Sequence, residues 1–302
     1  MKQDFIRKLK EHITEGVVLE LEPMGRHTTF QVGGPADLFV EPAGREELQY
    51  AVETARGDHV PFFVAGNGSN LLVSDDGYRG MILHIGKGMS QIVVTDTVVE
   101  AEAGASLARI AKAALEKGLT GMEFAAGIPG SLGGAVVMNA GAYGGEMKDI
   151  LTEVDVLTAD GRFLTIAACD LDLSYRHSCI PHKDYIVLGA RMLLDRGDPE
   201  KIRARMNELA LLRRQKQPLE YPSAGSTFKR PEGYFAGKLV QDAGLKGYTV
   251  GDAQVSEKHS GFVINRGHAD AAEIYFLIQQ VQKKVNKKFG VMLEPEVRFI
   301  GF

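Results

Sequence analysis

The chain has 302 residues, 44% hydrophobic and 25% charged, with a formal net charge of -4. That length can bury two or three ordinary cores, and the mildly acidic balance argues against a general nucleic-acid or membrane-surface binder. No stretch approaches the ~20 continuous apolar residues that cross a bilayer. The N-terminal region is charged throughout (Asp4, Arg7, Lys8, Lys10, Glu11) and lacks the apolar core of a signal peptide, so a cytoplasmic location is expected.

Taken in order, the residues alternate between helical and strand patterns, which predicts a mixed α and β class. Arg45 to Arg56 reads as a helix with Leu48, Val52 and Ala55 on one face and Gly57 at the C-cap. Pro61 to Ala65 reads as a buried strand running into a glycine loop. Ser106 is placed to cap a helix carrying Leu107, Ile110, Ala111, Ala114 and Leu115, with Gly118 as its stop. Thr152 to Ala159 and Arg162 to Ile166 flank Asp160-Gly161, a hairpin signal.

Gly197-Asp198-Pro199 marks a boundary, followed by a helix with Pro at its first position and Ile202, Met206 and Leu209 on one face. That helix ends in the basic run Arg213-Arg214-Gln215-Lys216. A long helix is predicted from Asp270 to about Phe289, with Asp270 and Glu273 at capping-box spacing and Ile274, Leu277, Ile278, Val281 and Val285 as its buried stripe. A short strand, Glu296 to Ile300, closes the pattern. Charge divides unevenly: residues 200–302 carry 17 Lys+Arg against 11 Asp+Glu, and residues 1–199 carry 18 against 28. A basic C-terminal third suits a phosphate-bearing ligand, although ordinary surface variation explains it equally well.

Two segments carry ligand chemistry. In Val64-Ala-Gly-Asn-Gly-Ser-Asn-Leu-Leu72, Gly66 and Gly68 allow close backbone approach, and Asn67, Ser69 and Asn70 add polar groups. Neither the P-loop nor the dinucleotide-fold glycine pattern is met, and phosphate binding and a tight structural turn stay equally open. The second segment is denser, with nine glycines between Gly118 and Gly145. Such density costs backbone entropy, so a ligand pressed against Gly127-Ile-Pro-Gly-Ser-Leu-Gly-Gly134 and Asn139-Ala-Gly-Ala-Tyr143 is the favoured reading. Cys169 and Cys179 predict no disulfide in a cytosolic chain. His177 to His182 lacks the paired spacing of zinc ligands, so no metal is expected.

The ordered set Thr28–Pro35, Gly66–Asn70, Gly127–Ser131 with Gly133-Gly134, Asn139–Tyr143, Ser174–Ser178, Ala224–Pro231 and Leu293–Gly301 resembles UDP-N-acetylenolpyruvoylglucosamine reductase. The resemblance covers residues 28–301. It implies an α+β fold: a two-part FAD-binding module like that of vanillyl-alcohol oxidase, residues 1–85 and 86–197, then a C-terminal α/β substrate-binding domain, 198–302. Residues 61–83 contain no histidine, so the FAD is expected to be non-covalent. The chain is similar to the family's shorter subtype, with no counterpart of the longer subtype's tyrosine-bearing covering loop.

The implied reaction is NADPH reduction of FAD, then reduction of UDP-N-acetylglucosamine enolpyruvate to UDP-N-acetylmuramate. Ser226 matches the family's proton donor, Arg176 its catalytic arginine and Glu296 its catalytic glutamate, with Glu294 as the competing assignment. The implied cofactor contacts are Gly66, Asn67, Gly68, Ser69, Asn70, Gly127, Ile128, Pro129, Gly130, Ser131, Gly133, Gly134, Asn139, Gly141, Ala142 and Tyr143. Lys216 matches a family substrate-binding lysine across a one-residue gap, and Arg230 stands where the longer subtype has asparagine but, being basic, suits a diphosphate; both are expected substrate contacts. The partners expected are the UDP-sugar and NADPH, with no nucleic acid or membrane, on a monomer. An FAD oxidase of the same fold accounts for the glycine loops but not for Ala224–Pro231 or Leu293–Gly301. A non-catalytic nucleotide-sugar binder does not account for Arg176, Ser226 and Glu296 together.

Overall fold

Strand alternation and capped amphipathic helices sort the chain into two contact-defined units in a computed structural model that describes residues 3–302. The first unit takes residues 3–20, 38–67 and 80–212, and the second takes 21–37, 68–79 and 213–302.

The first unit contains a five-stranded antiparallel sheet in the order Phe163–Ala167, Leu151–Leu157, Ile186–Leu193, Val98–Glu102, Ile92–Thr95. Phe62–Ala65 pairs in parallel with Tyr78–His84, Phe62 opposite Met81. The core joins Leu38, Leu48, Val52, Leu107, Ile110, Leu132, Val154 and Leu188, so one apolar cluster is shared by the sheets and the helices over them. Ser106 caps Leu107–Glu116 as its spacing predicts, its Oγ accepting from the Arg109 N–H at 3.4 Å. The Asp160-Gly161 hairpin forms, but only Gly161 has positive φ (80°). The connection is therefore not the fully mirror-image two-residue turn that Asp-Gly often makes.

Two expectations are corrected here. Gly57 lies inside the helix Arg45–Gly57, and the left-handed residue that ends this stretch is His59, φ 57°. The strand Phe62–Ala65 is only half-buried, with Ala65 alone fully covered.

The second unit packs the helix Ala271–Phe289 on a three-stranded antiparallel sheet, Thr249–Val250, Ala253–Val255, Val263–Asn265. Ile274, Leu277, Ile278, Val281 and Val285 are all fully buried, as the helical stripe requires. Asp270 Oδ1 accepts from the Glu273 N–H at 2.7 Å, but the reciprocal half of the capping box is absent. Glu273 instead accepts from the Asp252 N–H at 3.1 Å. The terminal strand is Arg298–Ile300, pairing in parallel with Leu71–Val73, so Glu296 lies before the strand rather than in it. Pro295, which has no N–H to donate, occupies the non-hydrogen-bonded position of an isolated bridge opposite Phe228. Among the described residues no helix is long and apolar enough to cross a membrane.

Candidate active site

In the first unit the two glycine segments meet each other. A Cβ on Gly66 would lie 2.2 Å from Ser131 Oγ, and Asn67 Nδ2 donates to the Pro129 carbonyl at 3.4 Å. The segment around Ser131 is stitched to residues 103–107. Gly130 O accepts from the Leu107 N–H (3.1 Å), and the N–H groups of Leu132 and Gly133 reach Ala105 O (2.9 Å) and Ala103 O (2.8 Å). Ile128 packs against the core. Gly133 is needed because Ala103 Cβ stands 3.1 Å from where its side chain would begin. Gly134 differs: its side-chain position is open, bounded only by Ser131 Oγ at 3.9 Å. The segment thus leaves a cradle beside Ser131 that a Cβ would fill, the approach a flat cofactor needs, and the residues present fit FAD.

Asn139 is fully buried with φ 40°. Its Nδ2 donates to Glu146 Oε2 (2.7 Å) and to the Ser174 carbonyl (3.0 Å), and its Oδ1 accepts from the Lys148 N–H (2.9 Å). The side chain is therefore committed to protein partners. Gly141–Ala142 pairs with Gly145–Glu146 across Tyr143-Gly144, both at positive φ (53° and 91°), a mirror-image hairpin turn that leaves Tyr143 exposed. Gly145 is pressed by the Phe124 ring, 2.7 Å from a notional Cβ. Protein neighbours, as well as a ligand, account for part of the glycine density.

Arg176 sits on a tight turn. Ser174 and His177 exchange backbone hydrogen bonds (3.2 and 3.1 Å) around Tyr175-Arg176. Arg176 adopts φ 54°, a conformation that usually falls to Gly or Asn, and its guanidinium lies 5.1 Å from the Tyr175 ring centroid. Leu21, Gln31 and Tyr143 share positive φ, so the conformation marks the tight turn and not, by itself, a function.

In the second unit Gly68 has φ 61°, and a Cβ there would fall 1.9 Å from the His27 carbonyl oxygen. Its own carbonyl accepts from the Thr29 N–H at 3.3 Å, and Ser69 beside it is half-buried. Ser226 is exposed and follows Gly225, φ 76°, whose missing side chain meets nothing within 4 Å. Thr227 is fully buried.

Glu296 is gripped through its backbone. Its N–H donates to Thr227 O at 2.8 Å, and its carbonyl accepts from Asn70 Nδ2 at 2.9 Å. Glu294 lies across Pro295 in contact with Lys229, whose N–H donates to Glu294 O and whose Nζ reaches its carboxylate. Its side chain is 69% exposed. Glu296 is thus tied to the residue after Ser226, whereas Glu294 faces solvent and a lysine. Lys216 is the exposed last residue of the helix Pro199–Lys216, and Arg230 lies over the Phe235 ring at 4.6 Å.

Sequence reasoning missed Thr227 and the structural duty of Asn139. No composition or spacing signal marks a threonine buried by distant segments. For Asn139, its tolerance of positive φ was a signal at hand. Ser260, buried with its Oγ unpartnered among the described residues, was also missed.

Two family models match: the FAD binding domain over residues 35–167, and the C-terminal domain of UDP-N-acetylenolpyruvoylglucosamine reductase over residues 217–300. The UDP-N-acetylenolpyruvoylglucosamine reductase of Agathobacter rectalis is 55% identical over 100% of this chain and 99% of its own. The crystal structure of the reductase from Thermus caldophilus superposes with a TM-score of 0.81 at 36% identity, covering 94% of this chain and 99% of that one. Phl p 4, a glucose dehydrogenase, aligns with TM-score 0.52 at 17% identity over 65% of this chain and 45% of its own, a likeness of fold alone.

Proposed function

The chain belongs to the UDP-N-acetylenolpyruvoylglucosamine reductase family, FAD-domain oxidoreductases of peptidoglycan precursor synthesis, and from that premise we propose which residues carry the reaction and how. The substrate is UDP-N-acetylglucosamine enolpyruvate, the product UDP-N-acetylmuramate and the reductant NADPH. Bound FAD, held non-covalently, supplies the hydride chemistry.

The observation that carries the assignment is the double grip on Glu296, from Thr227 on one side and Asn70 on the other, beside Ser226. Ser226 donates the proton to the carbon next to the substrate carboxylate, its hydroxyl being exposed on a turn that Gly225 leaves uncrowded. Arg176 binds that carboxylate and stabilises the charge that builds on it, with its backbone pinned by the 174–177 turn so that the guanidinium is presented in one direction. Glu296, rather than Glu294, hydrogen-bonds at the same centre. Lys216 and Arg230 meet the UDP diphosphate.

The cofactor contacts are proposed at Gly66 to Asn70, at Gly127 to Ser131 with Gly133 and Gly134, and at Gly141 to Tyr143. Asn139 supports them through structure rather than direct contact. Residues 1–85 and 86–197 serve the flavin and 198–302 the substrate, in a cytoplasmic monomer.

The test is NADPH oxidation by the flavin-loaded protein with and without the enolpyruvyl substrate, in wild type and Ser226→Ala. Loss of a positioned general acid lowers kcat by about 10²–10⁴-fold while the flavin stays reducible. Oxidation that ignores the substrate in wild type would sink the assignment.

A further inference from the structure

We infer that Thr227 is a positioning residue for the proton-transfer centre: one fully buried hydroxyl and its own backbone fix Ser226 and Glu296 to a common frame. The inference rests on the proposed roles of those two residues. Four bonds within the second unit carry it. The Thr227 N–H donates to Gly261 O at 2.8 Å, and Thr227 O accepts from the Glu296 N–H at 2.8 Å. Thr227 Oγ1 accepts from the Val263 N–H at 2.9 Å. Asn70 Nδ2 holds the far side of Glu296 through its carbonyl at 2.9 Å.

The backbone bonds alone would leave a hinge. Residues 227–229 meet 294–296 at one isolated bridge, Phe228 opposite Pro295, which goes no further because the Thr227 N–H is spent on Gly261 O and the Glu296 carbonyl on Asn70 Nδ2. Gly225, at φ 76°, has no side chain to pack ahead of Ser226. Ser226 therefore sits between a flexible glycine and a minimal ladder, and what stops it swinging is the anchoring of the next residue.

That anchor is the hydroxyl. Val263 is 2% exposed and belongs to the strand Val263–Asn265, which packs with the fully buried face of Ala271–Phe289. Its N–H has no water to turn to if Thr227 Oγ1 is removed. The hydroxyl thus transmits the rigidity of the sheet to the turn that presents Ser226. Serine retains this acceptor. Valine has the same shape and does not.

The experiment compares wild type, Thr227→Val, Thr227→Ser and Ser226→Ala as flavin-loaded enzymes. Steady-state kinetics are paired with amide hydrogen exchange at Val263 and Glu296. Displacing a reacting group by an ångström costs about 10²-fold, so Thr227→Val is expected to lose about 10- to 100-fold in kcat with KM within about twofold. Exchange protection should fall at both amides, and Thr227→Ser should restore kcat and protection together.

Ser226→Ala separates the layers. If it keeps full turnover, the proton-donor reading fails and this inference with it. If it is inactive while Thr227→Val retains wild-type kcat or wild-type protection at Val263, the positioning role is overturned and the donor reading stands. Should the valine variant not fold, Thr227→Ser alone decides. Wild-type kcat and protection there support the hydroxyl anchor, and loss of either refutes it.

Discussion

Replacing Asn139 by alanine is expected to cost stability and to disturb a group ångströms removed from it in the chain's chemistry. Three bonds vanish: to Glu146 Oε2 at 2.7 Å, to Ser174 O at 3.0 Å and from the Lys148 N–H at 2.9 Å. One is to a charged group and two are neutral, which after exchange with water nets about 2.5–6 kcal/mol. With Lys148 exposed and Glu146 half-buried, the lower part of that range, about 2.5–4 kcal/mol, is expected. The asparagine also tolerates φ 40° better than alanine does.

A loss of that size lowers the melting temperature by on the order of 5 °C, readable by thermal unfolding of the flavin-loaded protein. Because the Ser174 carbonyl belongs to the turn carrying Arg176, kcat should fall in step. Asn139→Asp sharpens the argument: a carboxylate there would face that of Glu146, a like-charge contact in place of a donated hydrogen bond, and its destabilisation should be at least as large. If Asn139→Ala melts within about 1 °C of wild type, a cost near 2 kcal/mol is excluded and the hub reasoning is refuted.

Other outcomes follow from single sites. Burial pushes the Glu47 carboxyl up, but the backbone N–H groups of Ala43, Glu15, Gly16 and Thr14 outweigh it and hold the group below its ordinary range. Glu47 therefore contributes stability fully above an unfolded value near ~4.3, lost as pH falls through the lower folded value. Glu47→Gln should flatten that acid limb in melting curves, and an unchanged limb would count against the assignment. Gly68→Ala meets the His27 carbonyl at 1.9 Å with φ 61° and should lower the flavin bound per purified chain. Gly144→Ala, at φ 91° with nothing within 4 Å, should cost only the backbone strain. Equal flavin occupancy in both would show that the close approach at Gly68 is not what shapes the loop.

Elements whose reasons are local were legible from residue order. Leu107–Glu116 and Ala271–Phe289 follow from periodicity plus a capping serine or aspartate, and Pro199 marks its helix start. The family motifs placed Arg176, Ser226 and Glu296 as candidates. What residue order left open were matters set by distant partners. The backbone ties of Glu296 to Thr227 and Asn70, and of Glu294 to Lys229, join segments far apart in sequence. The glycines around Gly133 and Gly145 are pressed by Ala103 and Phe124, which no spacing reveals. Glu296 was expected in a strand, but the pairing with Leu71–Val73 begins only at Arg298, a register that a distant segment sets.

The parallel pairing of Leu71–Val73 with Arg298–Ile300 has a consequence for biosynthesis. A ribosome making about 5–20 residues per second needs on the order of 10–50 s between releasing these two segments. Throughout that interval the earlier strand has no template on that edge, although the first unit's sheets can already close around residues 92–193. The second unit is therefore completed only after Arg298–Ile300 has emerged, and a message cut short before Arg298 yields a chain with a bare apolar strand, the kind of edge that chaperones and proteases recognise.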